Sequence, residues 1–180
     1  MAVICFVVGA YVISWAMWWP LAYQGGAPAD SAWRYLHLLG GFGPAIAGVM
    51  AVRLCDGERG VTRLVDRVGR WRVGLRWHAI AWLLPFVLLW IAVLAVRVST
   101  GDREPVRFDR SAEYPHLPMA LYWLASVTAY GFGEEIGWRG VLLPRLQSRL
   151  SALPATLLLS VIWAGSVSYT HLTLPTILRV

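Results

Sequence analysis

The sequence predicts an all-α fold, a polytopic helical membrane protein with four complete transmembrane helices and the start of a fifth. Three observations carry this. Of the 180 residues 58% are hydrophobic, and 11 are Trp, a usage that suits interfacial belts. Apolar runs close to the ~20 residues that cross a bilayer recur between short polar segments. The net charge of +6 is carried without a single Lys, by arginines gathered in particular connecting segments. That distribution fits loops facing anionic lipid rather than a nucleic-acid patch, so membrane lipid is the expected partner and nucleic acid is not.

The first span covers about Ala2–Trp19. It lacks the basic leader and small-residue cleavage site of a signal peptide, and Trp15, Trp18 and Trp19 form an aromatic belt before a stop at Pro20. Gln24–Ser31 links it to a second span, about Trp33–Leu54. The middle of that span, GGFGPAIAG (Gly40–Gly48), offers small residues to a neighbouring helix, and Pro44 is placed to kink it. These glycines follow no strand and lack the Lys-Ser/Thr of a phosphate loop. Arginines outnumber acids in Cys55–Trp77, which the positive-inside rule assigns to the cytoplasm as a loop. A third span at about His78–Val96 leads out, and Arg97–Pro118, with balanced charge, lies on the opposite side. The fourth, about Met119–Gly133, returns and delivers Glu134 and Glu135 to the cytoplasmic end of the membrane, followed by Arg139, Arg145 and Arg149. A fifth begins near Leu153. The N-terminus is therefore expected in the cytoplasm of a multi-pass protein, and the all-Arg usage points to a bacterial cytoplasmic (inner) membrane. Cys5 and Cys55 have no metal-ligand spacing and are expected as free thiols.

The stretch AYGFGEEIGWRGVLLPRLQ (129–147) sets two adjacent carboxylates and an arginine against an apolar background. Each carboxylate held at membrane depth costs about 2.5–3.5 kcal/mol on insertion scales, which makes the pair a functional candidate. Ordinary helix-end charges at the interface are the alternative. On a continuous α-helix Glu135 and Arg139 stand at i and i+4, a spacing that favours an ion pair. Glu134 is turned about 100° away and shares its face with Tyr130 and Trp138. The pair is thus unequal: Arg139 holds Glu135 ionised, while Trp138 and the neighbouring charge poise Glu134 as a general base. Gly131, Gly133, Gly137 and Gly140 leave room for another helix, or for water and substrate.

These residues carry a resemblance. EEIGWRGVLLPRLQ, with Glu134, Glu135 and Arg139 as Glu-Glu-x-x-x-Arg, resembles the first signature of the CPBP family, the CAAX-processing and bacteriocin-processing (Abi) intramembrane proteases; GFGPAIAG resembles the family more weakly. The resemblance implies an all-helical membrane endopeptidase with Glu134, Glu135 and Arg139 as catalytic residues, Glu134 activating water and Glu135 pairing with Arg139. A divalent metal such as Zn2+ and a metal-free glutamate mechanism are both open, and the sequence contains no His-Glu-x-x-His. The expected substrate is a peptide or protein, a prenylated CAAX tail or a bacteriocin precursor being candidates.

The family's second signature starts at SVIWAG (Ser160–Gly165) and then breaks off. Val167–Thr176, VSYTHLTLPT, is the in-frame translation of a sequence resembling a transposase-end sequencing adapter. Residues 1–165 are therefore read as a partial protease domain and 166–180 as a non-native read-through tail. His171 lies in that tail, and His37, His78 and His116 match no signature; each of these three is expected as an interfacial or packed histidine. The favoured function is an intramembrane endopeptidase acting near the cytoplasmic face, inactive in this fragment. The alternative is a non-catalytic membrane interaction or bacteriocin-immunity protein.

Overall fold

The computed structural model describes residues 1–23, 32–101, 111 and 114–177, the last ten as backbone only. The Gln24–Ser31 linker and most of 102–113 lie outside the described residues. The described residues are helical, with no strand among them. The chain is an all-α membrane protein. Two helices are long and apolar enough to cross a bilayer, and a third is reached by joining two pieces bent by 42°.

Helix α1 (Ala2–Tyr23) runs past the stop expected at Pro20, which the helix contains. The second expected span is a short 3-10 turn (Ala32–Arg34), α2 (Tyr35–Gly40) and α3 (Gly43–Val68). The bend falls at Gly41–Phe42, not at Pro44. Pro44 stands in the first turn of α3, where its missing N–H has no intrahelical acceptor to lose.

A bend in lipid must have its freed carbonyls satisfied by protein. Here each of the last four of α2 finds a donor. Trp18 Nε1 donates to His37 O at 3.0 Å and Ser14 Oγ to Gly40 O at 2.9 Å. The backbone N–H groups of Gly41 and Phe42 donate to Leu38 O and Leu39 O. Two of the four donors are α1 side chains, so α1 is both neighbour and cap.

The Cys55–Trp77 segment is a loop only in part. Helix α3 continues to Val68 through a reversal at Gly57, whose φ of 67° is a conformation open to glycine. Beyond it Gly60 and Leu64 are buried while the arginines face out. Hydropathy ends the span at the first charges, but a basic amphipathic turn can stay helical by burying one narrow stripe. Helix α4 (Leu75–Thr100) buries none of its residues, so its whole apolar circumference is left for lipid.

From Met119 to Gln147 the chain stays helical but changes winding. It passes from α5 (Met119–Ser126) into a π run (Val127–Glu134), then α6 (Glu135–Gly137), a second π run (Trp138–Leu142) and α7 (Leu143–Gln147). No single piece here is long enough to span, which is why the fourth expected span is not among those found by length. Helix α8 (Ala152–Ile177) closes the fold; its segment Ala152–Val167 is a shorter apolar helix. Its backbone runs through Ser166, where the sequence places the junction with the tail.

Phe6, Ala10, Ala47, Ala51, Trp138, Val141, Leu142, Ala155 and Leu159 form the main core, joining α1, α3, the second π run and α8. Phe6 meets Trp138 edge-on, with ring centroids 5.1 Å apart. Tyr11 Oη donates to Ile162 O at 2.6 Å and Trp15 Nε1 to Ser166 O at 2.9 Å, fastening α1 to α8. Between helices in lipid, small residues and such polar contacts replace the hydrophobic drive that water supplies.

Candidate active site

The motif helix is set against α2 and α3 by its glycines. A Cβ at Gly133 would lie 2.5 Å from the carbonyl oxygen of Gly41 and 3.1 Å from Phe42 Cα. One turn on, a Cβ at Gly137 would lie 2.5 Å from the carbonyl carbon of Pro44 and 2.6 Å from its Cβ. Only hydrogen fits at either place. Val141 then meets Gly48, and the Arg145 guanidinium pairs with Asp56. The contacts advance together along both chains, so the two helices run parallel, as an even-numbered pair of spans must.

That register corrects the expected depth of the site. Glu134 and Glu135 do not stand at the end of a span; they lie beside residues 41–44, well inside the second one. The sequence marks where charge begins, whereas depth is decided by which glycines meet.

Arg139 Nη1 donates to Glu135 Oε1, as the i,i+4 spacing predicts. Both side chains remain about half exposed, so the pair contributes little to stability and fixes orientation instead. Glu134 is half-buried and points elsewhere. Its Oε2 accepts a hydrogen bond of 2.8 Å from Trp163 Nε1 on α8. Among the described residues no donor reaches its Oε1.

The expected desolvation of Glu134 by Trp138 is not what forms. Trp138 turns inward against Phe6 and is 2% exposed, its Nε1 buried without a hydrogen-bond partner. The α-helical wheel assumed a constant pitch, and the change from α to π winding shifts the phase of each residue on either side of Glu135–Gly137. π runs of this kind occur frequently at functional sites. Trp163, within SVIWAG, was quoted for its motif, but its bond to Glu134 was not foreseen.

His37 and Tyr130 complete the surroundings. Tyr130 Oη lies 3.3 Å from His37 Nδ1, and His37 is close enough for its charge to act on Glu134. His37 is packed, as the sequence suggests for a histidine outside any signature. Its approach to the carboxylate could be read only from the fold. His78 binds the carbonyl of Trp71 through Nε2, far along the chain from the motif.

No group of three or more His, Cys, Asp or Glu among the described residues is arranged to hold a metal ion. Glu134's direct partner is an indole N–H, a donor that cannot ligate, so this donor set does not fit a metal and no step below is routed through one. Cys5 and Cys55 are free thiols.

No curated protein and no solved structure matches the chain. Residues 116–178 match the family described as Type II CAAX prenyl endopeptidase Rce1-like, a family of proteases. The match includes Glu134, Glu135, Arg139 and Trp163 and extends beyond Gly165. Over the segment that builds this site, the chain is therefore of the CAAX-protease type that its Glu-Glu-x-x-x-Arg motif resembles.

Proposed function

We propose that the protein is an intramembrane endopeptidase in which Glu134 activates the water that hydrolyses a peptide bond. The observation that carries this is the state of the Glu134 carboxylate: one oxygen is held by Trp163 at 2.8 Å, and the other is left for a water. Glu134 takes a proton from that water as its oxygen adds to the scissile carbonyl. The same proton then passes to the leaving amine as the C–N bond breaks, returning the carboxylate. Glu135 and Arg139 act as the positioning pair, holding a second charge beside the first without competing for the water. The substrate is a membrane-held peptide or protein; a prenylated CAAX tail fits the matched family's name, and a bacteriocin precursor fits the wider resemblance. Cleavage takes place in a bacterial cytoplasmic membrane with the N-terminus inside, a placement supported by the arginine bias of the 55–77 segment.

A second reading makes the Glu134–Trp163 bond a fastener between the motif helix and α8 in a non-catalytic interaction or immunity protein. Glu134→Gln separates the two, because the amide oxygen still accepts from Trp163 while the base is lost. A long sequencing read of the source DNA across the codons for Ser160–Val180 first fixes the C-terminal sequence to be expressed. That chain is reconstituted in liposomes with two fluorogenic peptides, one prenylated at a CAAX tail and one not. Proteolysis requires cleavage by the wild type and a fall of about 100-fold or more in Glu134→Gln at unchanged unfolding midpoint. No cleavage of either peptide, or equal cleavage by the variant, rejects the catalytic role.

A further inference from the structure

His37 lies outside every motif, yet four contacts fix it. Its ring stands edge-on to Trp18 of α1, with centroids 6.0 Å apart, and tilted on Tyr130 at 5.7 Å. Its carbonyl receives the Trp18 indole N–H, and its Nδ1 faces the Tyr130 hydroxyl at 3.3 Å. One turn further along, Gly41 rests on the same π run, its Cβ position 3.0 Å from Ala129 O and from Tyr130 Cδ1. The ring therefore has little freedom to turn.

Tyr130 precedes Glu134 by one turn on nearly the same face, so the histidine that holds Tyr130 also looks along the helix toward the carboxylate. With Nδ1 occupied by Tyr130, Nε2 is the nitrogen left for the site. Within a low-dielectric bundle, two ionisable groups at Coulombic range cannot titrate independently.

We propose that His37 is a positioning residue for Glu134, a protonatable imidazole locked by Trp18 and Tyr130 so that the charge on either group sets the charge on the other. This rests on the proposed role of Glu134 and adds to it the group that tells the base which form to hold. The titratable or charged groups facing the pair are Tyr130 on the π run, with Glu135 and Arg139 acting on Glu134 from beyond it. On the histidine's own element, Tyr35 and Arg34 are turned to the ring of Tyr114. α1 contributes only the neutral indole of Trp18.

The test is a 15N NMR titration of the imidazoles in the full 180-residue chain, histidine-labelled and held in nanodiscs, with signals assigned by His→Gln substitutions. Between wild type and Glu134→Gln the His37 midpoint moves by about half a pH unit or more, while those of His78 and His116 stay fixed. Tyr130→Phe alters the His37 Nδ1 shift. A His37 curve that superposes in wild type and Glu134→Gln, with the other histidines unchanged, overturns the coupling. Cleavage is scored separately. If Glu134→Gln abolishes proteolysis and His37 does not respond, the coupling fails and the protease reading stands; if His37 responds and no peptide is cleaved, the coupling stands without it. In a cleaving preparation His37→Gln removes one ionisation from the pH–rate profile, whereas a structural role would lower the profile evenly.

Discussion

Replacing Gly137 by alanine tests whether the packing of the motif helix is what holds Glu134 in place. The added methyl would sit 2.5 Å from the carbonyl carbon of Pro44, where ordinary contact begins at 3.4 Å, so the helices must part by about 0.9 Å. The obstructing atoms are backbone and a proline ring, which have no rotamer to escape into. Overpacking of this kind costs up to about 3 kcal/mol, and the helix propensity of alanine returns about 1 kcal/mol. The net loss is about 2 kcal/mol, roughly 30-fold in the folding equilibrium. Gly131 is the control. Its nearest neighbour is Val127 Cγ1 at 3.6 Å, so Gly131→Ala feels the propensity alone and is stabilised by up to about 1 kcal/mol. Reversible unfolding in mixed micelles, followed by circular dichroism, measures both. The register argument is refuted if Gly137→Ala falls within about 0.5 kcal/mol of wild type, or if Gly131→Ala is equally damaging.

Two further outcomes follow from the same contacts. Trp163→Phe removes the donor from Glu134 and should lower kcat by roughly tenfold or more with KM little changed, since the indole touches the base and not the substrate; a change confined to KM would count against it. In double-mutant cycles read by unfolding, the Arg145–Asp56 pair, with side chains 23% and 34% exposed, should couple more strongly than Arg53–Glu58, at 63% and 71%. The latter belongs with surface pairs worth about 0.2–1 kcal/mol, and equal coupling in both would show that burial is not the deciding variable.

The sequence was legible where length and charge decide. The apolar runs around Ala2–Trp19 and His78–Val96 are both helices, and Glu135 finds Arg139 one turn on because that pairing needs only local pitch. What sequence could not convey is where neighbours meet. Glu134 looked like the end of a span because hydropathy stops at the first charge, whereas its depth follows from Gly133 seating on Gly41. The Glu58–Val68 turns looked like a loop because their apolar stripe is as narrow as Gly60 and Leu64. Trp163 reaches Glu134, and His37 reaches Tyr130, across separations that no periodicity encodes. Trp138 was misassigned because a wheel with fixed pitch cannot anticipate a π run.

Each π run closes its hydrogen bonds on the fifth residue instead of the fourth, and so stores a surplus residue inside the helix. Substitution scanning conserves that surplus and never questions it. Deleting one residue between Val127 and Glu134 would let the segment close as α-helix and rotate all that follows by about 100° relative to all that precedes. The glycine seam and the carboxylates would then face different partners, although every side chain in the motif survived. The site is thus encoded by residue count as well as residue identity, and the matching evolutionary step from a plain α-helix is a single-codon insertion.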